Sequence, residues 1–217
     1  DKNWAVSTGI LHLVIKCAMN SRFVSTKLSI LTEVEKFRSE ASSKLNQKTR
    51  GSLGQFFTPS SIASYMASIF KNIQGNVRLL DPGAGPGALT AAFTDETLKR
   101  SSTESILISA YEVDPVIHPY LQKSLDLCEE ALVRRRVPAE LELYGSDFID
   151  GAISDGLFQS SEKYTHVLMN PPYKKISATS DHRKLLSLAG IETVNLYSGF
   201  VSLALKQLVP GGELVAI

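Results

Sequence analysis

Cysteine is scarce in this chain, and what little there is has no pattern. Cys17 and Cys128 lie far apart, without the close spacing of metal ligands. That gives no basis for a disulfide framework or a zinc site, and both are expected to be buried thiols in a reducing cytoplasm. Histidine is equally sparse: His12, His118, His166 and His182 are scattered and form no ligand set, so no metal is expected. His166 sits inside an apolar run and reads as a core residue before it reads as a base. The roughly 20 consecutive apolar residues of a bilayer-spanning helix are missing, so no membrane role is expected. Charge of one sign is missing too. Lys and Arg number 23 against 22 Asp and Glu, a net charge of +1, which excludes a uniformly basic nucleic-acid binder. There is no internal repeat or low-complexity tract. With 43% hydrophobic residues in 217, the chain can build one sizeable core.

Local patterns say more than totals. Residues up to about Ser21 read as helix, with Leu11, Val14, Ile15 and Ala18 on one face, and Leu28 to Leu45 as a second, carrying Leu31, Val34, Phe37 and Ala41. Pro59 to Ile73 reads as a third, with Ile62, Tyr65, Met66 and Ile69 inward. Short apolar strands then alternate with helices: Val77–Leu80, Ile106–Tyr111, Leu141–Tyr144, His166–Met169 and Glu213–Ile217, with crossover helices at Pro115–Arg135 and Val194–Leu208. This alternation implies an α/β fold with a parallel sheet. The polar stretch Ser177 to Leu188 is expected to be mobile. Asp1 in place of a methionine, inside a helical pattern, is what a chain starting mid-protein would show.

The most telling segment is Asn170-Pro171-Pro172-Tyr173, at the end of the apolar run Tyr164 to Met169. An Asn oxygen and a carbonyl beside a proline can both accept hydrogen bonds from an amino group, and the prolines stiffen the turn that aims them. Tyr173 offers a flat face for a planar base. Taken alone, the tetrad also suits an ordinary turn after a strand.

Upstream, Asp81-Pro82-Gly83-Ala84-Gly85-Pro86-Gly87 follows a strand and opens a helix that runs to about Arg100. That is the nucleotide-cofactor layout of an open α/β sheet, in which glycines admit a ligand and helix N–H groups point at it. Glu112-Val113 ends the next strand, where an acid can accept from both ribose hydroxyls. Asp147-Phe148 follows the third, where an acid can accept from an adenine amino group and a Phe can pack on the ring. Each acid separately also fits a solvated strand end. The ordered set favours a cofactor.

With Gly54-Gln55-Phe56-Phe57-Thr58-Pro59 ahead of the glycine turn and Asn-Pro-Pro-Tyr behind it, the chain resembles the N6-adenine DNA methyltransferases of the gamma arrangement, mostly from bacterial restriction–modification systems. The likeness continues in Asn195-Leu196-Tyr197-Ser198-Gly199-Phe200 and in Leu208 to Leu214, with a gap at Ser177 to Ile191. It implies a Rossmann-like S-adenosylmethionine-dependent methyltransferase sheet with helices on both faces, over residues 51–217, preceded by a helical segment over 1–50. It implies roles as well. Phe57 and Thr58 close the methionine end of the cofactor, Thr58 touching its carboxylate. Asp81, Gly83, Ala84 and Gly85 shape the methionine and ribose pocket. Glu112 holds the ribose, and Val113, Asp147, Phe148 and Phe200 surround the adenine. Asn170 and the Pro171 carbonyl hold the target amine, with Pro172 stiffening the turn and Tyr173 stacking on a flipped base. Pro86 departs from the Ser or Thr of many relatives, but proline suits a first helical turn.

The same resemblance implies double-stranded DNA as partner, a restriction endonuclease or specificity subunit or domain beside it, and a cytoplasmic protein of bacterial or phage origin. Sheets of that family carry strands beyond the five read here, so an incomplete catalytic domain without its target-recognition domain is expected. Methylation of RNA adenine or of a protein glutamine stays open, as does a cofactor-binding module needing a partner to find DNA, or a vestigial pocket. Lys174, Lys175, His182, Arg183 and Lys184 could track phosphates or merely be solvated. Lys48 with Arg50, and Arg134 to Arg136, are smaller basic groups.

Overall fold

The computed structural model describes residues 29–45, 56–154 and 163–217. The helix expected before Ser21, with His12 and Cys17, lies outside them, as do Lys48, Arg50, Gly54 and Gln55. The described elements run α1 (Ile30–Lys44), α2 (Ser60–Ser68), β1 (Gly75–Pro82), α3 (Ala88–Arg100), β2 (Thr103–Tyr111), α4 (His118–Arg134), β3 (Ala139–Tyr144), α5 (Phe148–Ser154), β4 (Tyr164–Met169), α6 (Asp181–Leu188), α7 (Leu196–Lys206) and β5 (Leu208–Ala216).

The five strands form one sheet in the order β3-β2-β1-β4-β5, every pair parallel. The chain leaves β1 in one direction through β2 and β3, then returns to the other side of β1 with β4. Neighbouring strands whose connections diverge leave a crevice at their carboxyl ends, where open α/β sheets bind ligands. Here those two ends carry the glycine turn and the Asn-Pro-Pro-Tyr turn.

Helices cover both faces. Val34 of α1, Ala63 and Met66 of α2, Phe93 of α3 and Leu132 of α4 pack on Leu79, Ile108 and Leu168. Phe148 of α5, Leu186 of α6 and Leu203 of α7 pack on Leu80, Val167 and Met169. His166 is a core residue, as expected: its ring sits 5.2 Å from Phe70 and its Nε2 donates to the Asn72 carbonyl at 2.9 Å. Cys128 is a buried thiol.

Several expectations need correction. The third expected helix stops at Ser68 instead of Ile73, because the Glu213 carboxylate accepts from the Lys71 and Asn72 amides at 2.8 and 2.9 Å and turns the chain away. Its inward face is also different. Ala63, Met66 and Ala67 are buried, while Ile62, Tyr65 and Ile69 are exposed. Within Ser177 to Leu188 the structure forms α6, capped by the Ser180 hydroxyl, where a polar loop was expected. The helix α5 was not anticipated at all. Strand β5 starts at Leu208, but its continuous ladder with β4 begins at Glu213, since residues 209–212 bulge out between two paired positions.

The N-terminus of α2, which follows the Phe-Phe-Thr-Pro segment, is fixed by α1. Glu35 accepts from the Ser60 amide and hydroxyl at 3.0 and 2.7 Å. Its hydrogen bond from Arg38, followed by those from Ser60, holds the Glu35 pKa down at about 2 despite partial burial.

The glycine turn is packed against α4. Gly87 has φ +90, and a Cβ there would lie 2.8 Å from the Ser124 Cβ, while the Ser124 hydroxyl donates to the Pro86 carbonyl at 2.6 Å. We expect Gly87→Ala to cost about 1–2 kcal/mol for left-handed backbone and about 1–3 kcal/mol more for overpacking. Gly190→Ala, at φ +70 with nothing within 4 Å, should show the backbone cost alone. Equal losses for the two variants in denaturant unfolding would refute the packing account.

Candidate functional site

At the end of β1 the chain folds over β2: the Gly83 and Ala84 amides donate to the Tyr111 carbonyl at 2.9 and 2.8 Å. Gly85 follows with φ +56, and a Cβ there would meet the Phe57 ring at 3.0 Å, so only glycine lets that ring lie on the turn. The Glu112 carboxylate bridges the turn to the end of β2, Oε2 accepting from the Gly85 amide at 2.9 Å and Oε1 from the Asp114 amide at 2.8 Å. Burial pushes its pKa up, against the pull of those two amides. Each oxygen keeps a free lone pair, the acceptor set that a pair of vicinal hydroxyls needs.

Asp81 lies beneath this turn. It is fully buried, and the Thr90 hydroxyl donates to its Oδ2 at 2.7 Å. Its Oδ1 has no partner among the described residues. Burial, opposed by Thr90 and reinforced by the charge of Glu112, raises its pKa to about 7.

Asn170 follows β4 and joins the two halves of the site. Its Nδ2 donates to the Phe56 carbonyl and to the Thr58 hydroxyl, both at 3.1 Å. A carbonyl can only accept, so the amide's nitrogen end is fixed toward Phe56 and its oxygen end turns away. That oxygen is buried and has no partner among the described residues. An unfilled buried acceptor costs about 1–3 kcal/mol, which marks it as a place where a donor belongs.

These groups surround a cavity of about 330 Å³, within the range of small-molecule sites. Of the residues singled out in the sequence, Phe57, Gly83, Gly85, Glu112, Val113, Asp147, Phe148, Asn170, Pro172 and Phe200 line it. Thr58 and Ala84 line a smaller adjoining cavity that shares Phe57, Gly83, Gly85 and Asn170. Asp81 and Pro171 are buried outside both linings, and Tyr173 stands outside them, 54% exposed. Phe148 and Phe200 form an apolar wall, their ring centroids 5.2 Å apart. Phe56, Ser146, Lys174, Lys175 and His182 also line the cavity.

The chain matches the N-6 DNA Methylase family over residues 42–217. It belongs to that family. It is 40% identical over 191 residues to the Type II methyltransferase M.PstI of Providencia stuartii, covering 88% of this chain and 38% of the relative. It is 40% identical over 195 residues to the Type II methyltransferase M.BsuBI of Bacillus subtilis, covering 87% and 37%. The chain thus spans well under half the length of these two relatives. Its fold is similar to that of the type I restriction-modification system methyltransferase subunit from Streptococcus thermophilus, with TM-score 0.55 and 20% identity over 74% of this chain and 34% of that one. The sheet is therefore the Rossmann-like methyltransferase fold.

The helix α6 is tied to Asp147, which lies between β3 and α5. His182 Nε2 lies 3.2 Å from Asp147 Oδ2, while Asp147 Oδ1 accepts from the Ile149 amide at 2.8 Å. Arg183 is paired with Glu192 at 2.9 Å and Lys184 with Asp181 at 2.9 Å, so these two cations already have carboxylate partners. Asp147, Asp150 and His182 offer ligand atoms within 4.8 Å of one another, a cluster the sequence spacing does not reveal. Burial raises the Asp147 pKa, but the hydrogen bond and charge of His182, with two backbone amides, outweigh it and leave the carboxyl below its ordinary value. The Asp147 hydrogen bond raises His182, with Asp150 assisting and burial and Lys174 opposing. No helix among the described residues is long and apolar enough to cross a membrane.

The sign follows from the directions. The raised His182 stabilises α6 fully below the ordinary histidine value, and that contribution is lost as pH rises through the raised one. The depressed Asp147 contributes above the ordinary carboxylate value and is lost only as pH falls through its lowered one. The contact of α6 with Asp147 should therefore loosen first on the alkaline side. We expect the His182 pKa, followed by NMR, to lie above 6.5 and to fall on Asp147→Asn. An unmoved value would sever the pair.

Proposed function

We propose that this chain is the catalytic part of a site-specific DNA methyltransferase that moves a methyl group from S-adenosylmethionine to adenine N6 in duplex DNA, within a bacterial restriction–modification system. The observation that carries the reading is the Asn170 amide. Its nitrogen is held by Phe56 and Thr58, while its oxygen stays buried with no donor among the described residues. The 40% identity to two Type II methyltransferases supports DNA as the substrate over RNA or a protein amide.

The cavity suits the cofactor chemically. Glu112 presents two oxygens with free lone pairs to a ribose, Asp81 has an unfilled acceptor beneath the turn, and Phe148 and Phe200 offer an apolar wall to a purine. Bound there, S-adenosylmethionine supplies an activated methyl group. Everything else falls to the protein. A base inside a duplex must leave the stack, at a cost of a few kcal/mol. Stacking on Tyr173 can return about 1–3 kcal/mol of that. Adenine N6 shares its lone pair with the ring and is a poor nucleophile. The Asn170 Oδ1 and the Pro171 carbonyl accept its hydrogens, draw the nitrogen toward tetrahedral geometry and make the lone pair available. No group of the site has to remove a proton first, and orientation carries much of the rate. Lys174 and Lys175, at the mouth beside Tyr173, suit phosphate contacts. DNA recognition, and any nuclease or specificity partner, would belong to parts of the protein outside this chain.

The test uses the full-length enzyme with labelled cofactor, unmethylated genomic DNA, RNA and a glutamine-bearing peptide. DNA alone should be labelled. Asn170→Ala should lower the single-turnover rate on the order of a hundredfold or more, with cofactor affinity within a few-fold of wild type. If instead only thermal stability drops and the rate per folded molecule holds, Asn170 is a turn former. Separately, Glu112→Ala should weaken cofactor binding in calorimetry by roughly tenfold or more, since a hydrogen bond to a charged group is worth about 1.5–3 kcal/mol. Unchanged affinity would remove Glu112 from the ribose site.

A further inference from the structure

Tyr197 is the aromatic residue of the Asn195–Phe200 segment that the proposed reaction leaves without a task. It lies in the first turn of α7, where its own amide donates to the Asn195 side-chain oxygen at 3.0 Å. The residues after the Asn-Pro-Pro-Tyr turn are joined to the start of α7 by an antiparallel bridge between Lys175 and Asn195. Two backbone bonds flank it: the Ile176 amide donates to the Val194 carbonyl and the Leu196 amide to the Lys174 carbonyl, both at 2.8 Å. This clamp brings Tyr197 beside Tyr173. Their ring centroids are 5.4 Å apart and the planes differ by 27°, a stacked pair. Adjacent on α7, Leu196 lines the cavity, as Phe200 does one turn later.

Tyr173 is 54% exposed, and an exposed side chain samples several rotamers unless something holds it. A second ring stacked on one face selects one of them and leaves the opposite face for a planar partner. We propose that Tyr197 is a positioning residue that holds the Tyr173 ring in the orientation used to stack on the displaced base. This rests on the methyltransferase reading above. Tyr197 acts through its ring, touches neither reacting group, and needs no hydroxyl for the purpose.

A double-mutant cycle in the full-length enzyme tests it, with unmethylated genomic DNA and labelled S-adenosylmethionine. Tyr197→Leu should lower kcat/KM for DNA roughly two- to tenfold, the worth of one aromatic pair, with cofactor affinity by calorimetry unchanged. Tyr197→Phe should restore the wild-type value. In a Tyr173→Ala background, Tyr197→Leu should add no further loss, because the ring it positions is gone. Losses that add in the double variant, a Phe variant as impaired as Leu, or tighter DNA use by Tyr197→Leu would each overturn the proposal. So would loss of cofactor binding in Tyr197→Leu, which would assign the ring to the fold. A wild-type enzyme that labels no DNA overturns the functional reading, and this proposal with it.

Discussion

The site depends on one side-chain amide. Asn170 reaches from the end of β4 to the Phe56 carbonyl and the Thr58 hydroxyl, more than a hundred residues earlier in the chain. The Phe-Phe-Thr-Pro segment has no strand or helix of its own to define it. It is held at one side by Asn170 and at the other by Glu35, which grips Ser60 at the start of α2. Because both bonds to Asn170 use its nitrogen, the same contact that closes the site also sets which atom of the amide is left for a ligand. Structure and chemistry are decided by one rotamer.

The parallel sheet supplies the rest of the geometry. Divergence of the chain on either side of β1 puts the ends of β1 and β4 next to each other, so the glycine turn and the Asn-Pro-Pro-Tyr turn share one crevice. Around it the ionisable groups are arranged by burial and partners. Asp81 is deep and starved of donors, Glu112 is satisfied by backbone amides, and Asp147 is satisfied by a histidine from α6. Three carboxylates at three strand ends therefore differ in character.

Much of this was legible in the residues. The carboxyl ends of β2, β3 and β4 were legible, because apolar runs flanked by Gly, Pro and acidic residues are strong local signals, while β1 runs two residues past its expected end at Leu80. The cofactor turn was legible because Gly83, Gly85 and Gly87 all need the left-handed backbone that they adopt. What was missed has a common cause. The helix α6 has a single fully buried apolar anchor, Leu186, too little periodicity to announce a helix. It is held by contacts with Asp147 and Glu192 that lie outside it. The buried face of α2 was misread because alanines, not the larger Ile62 and Tyr65, face the core. Hydrophobicity alone does not say which side of a helix a neighbour will approach.

The sequence by itself determined the class of fold, the order of the motifs and the family, since these rest on local preference and on residue types whose chemistry does not depend on neighbours. Only the tertiary structure decided how those residues are used. It placed Asp81 beneath the turn and outside the cavity lining, paired His182 with Asp147, and set Tyr197 against Tyr173. It also chose which end of the Asn170 amide is tied down. Each of these is a contact between residues distant in sequence, fixed by the packing of helices on both faces of the sheet, and no local pattern encodes which distant partner packing will supply.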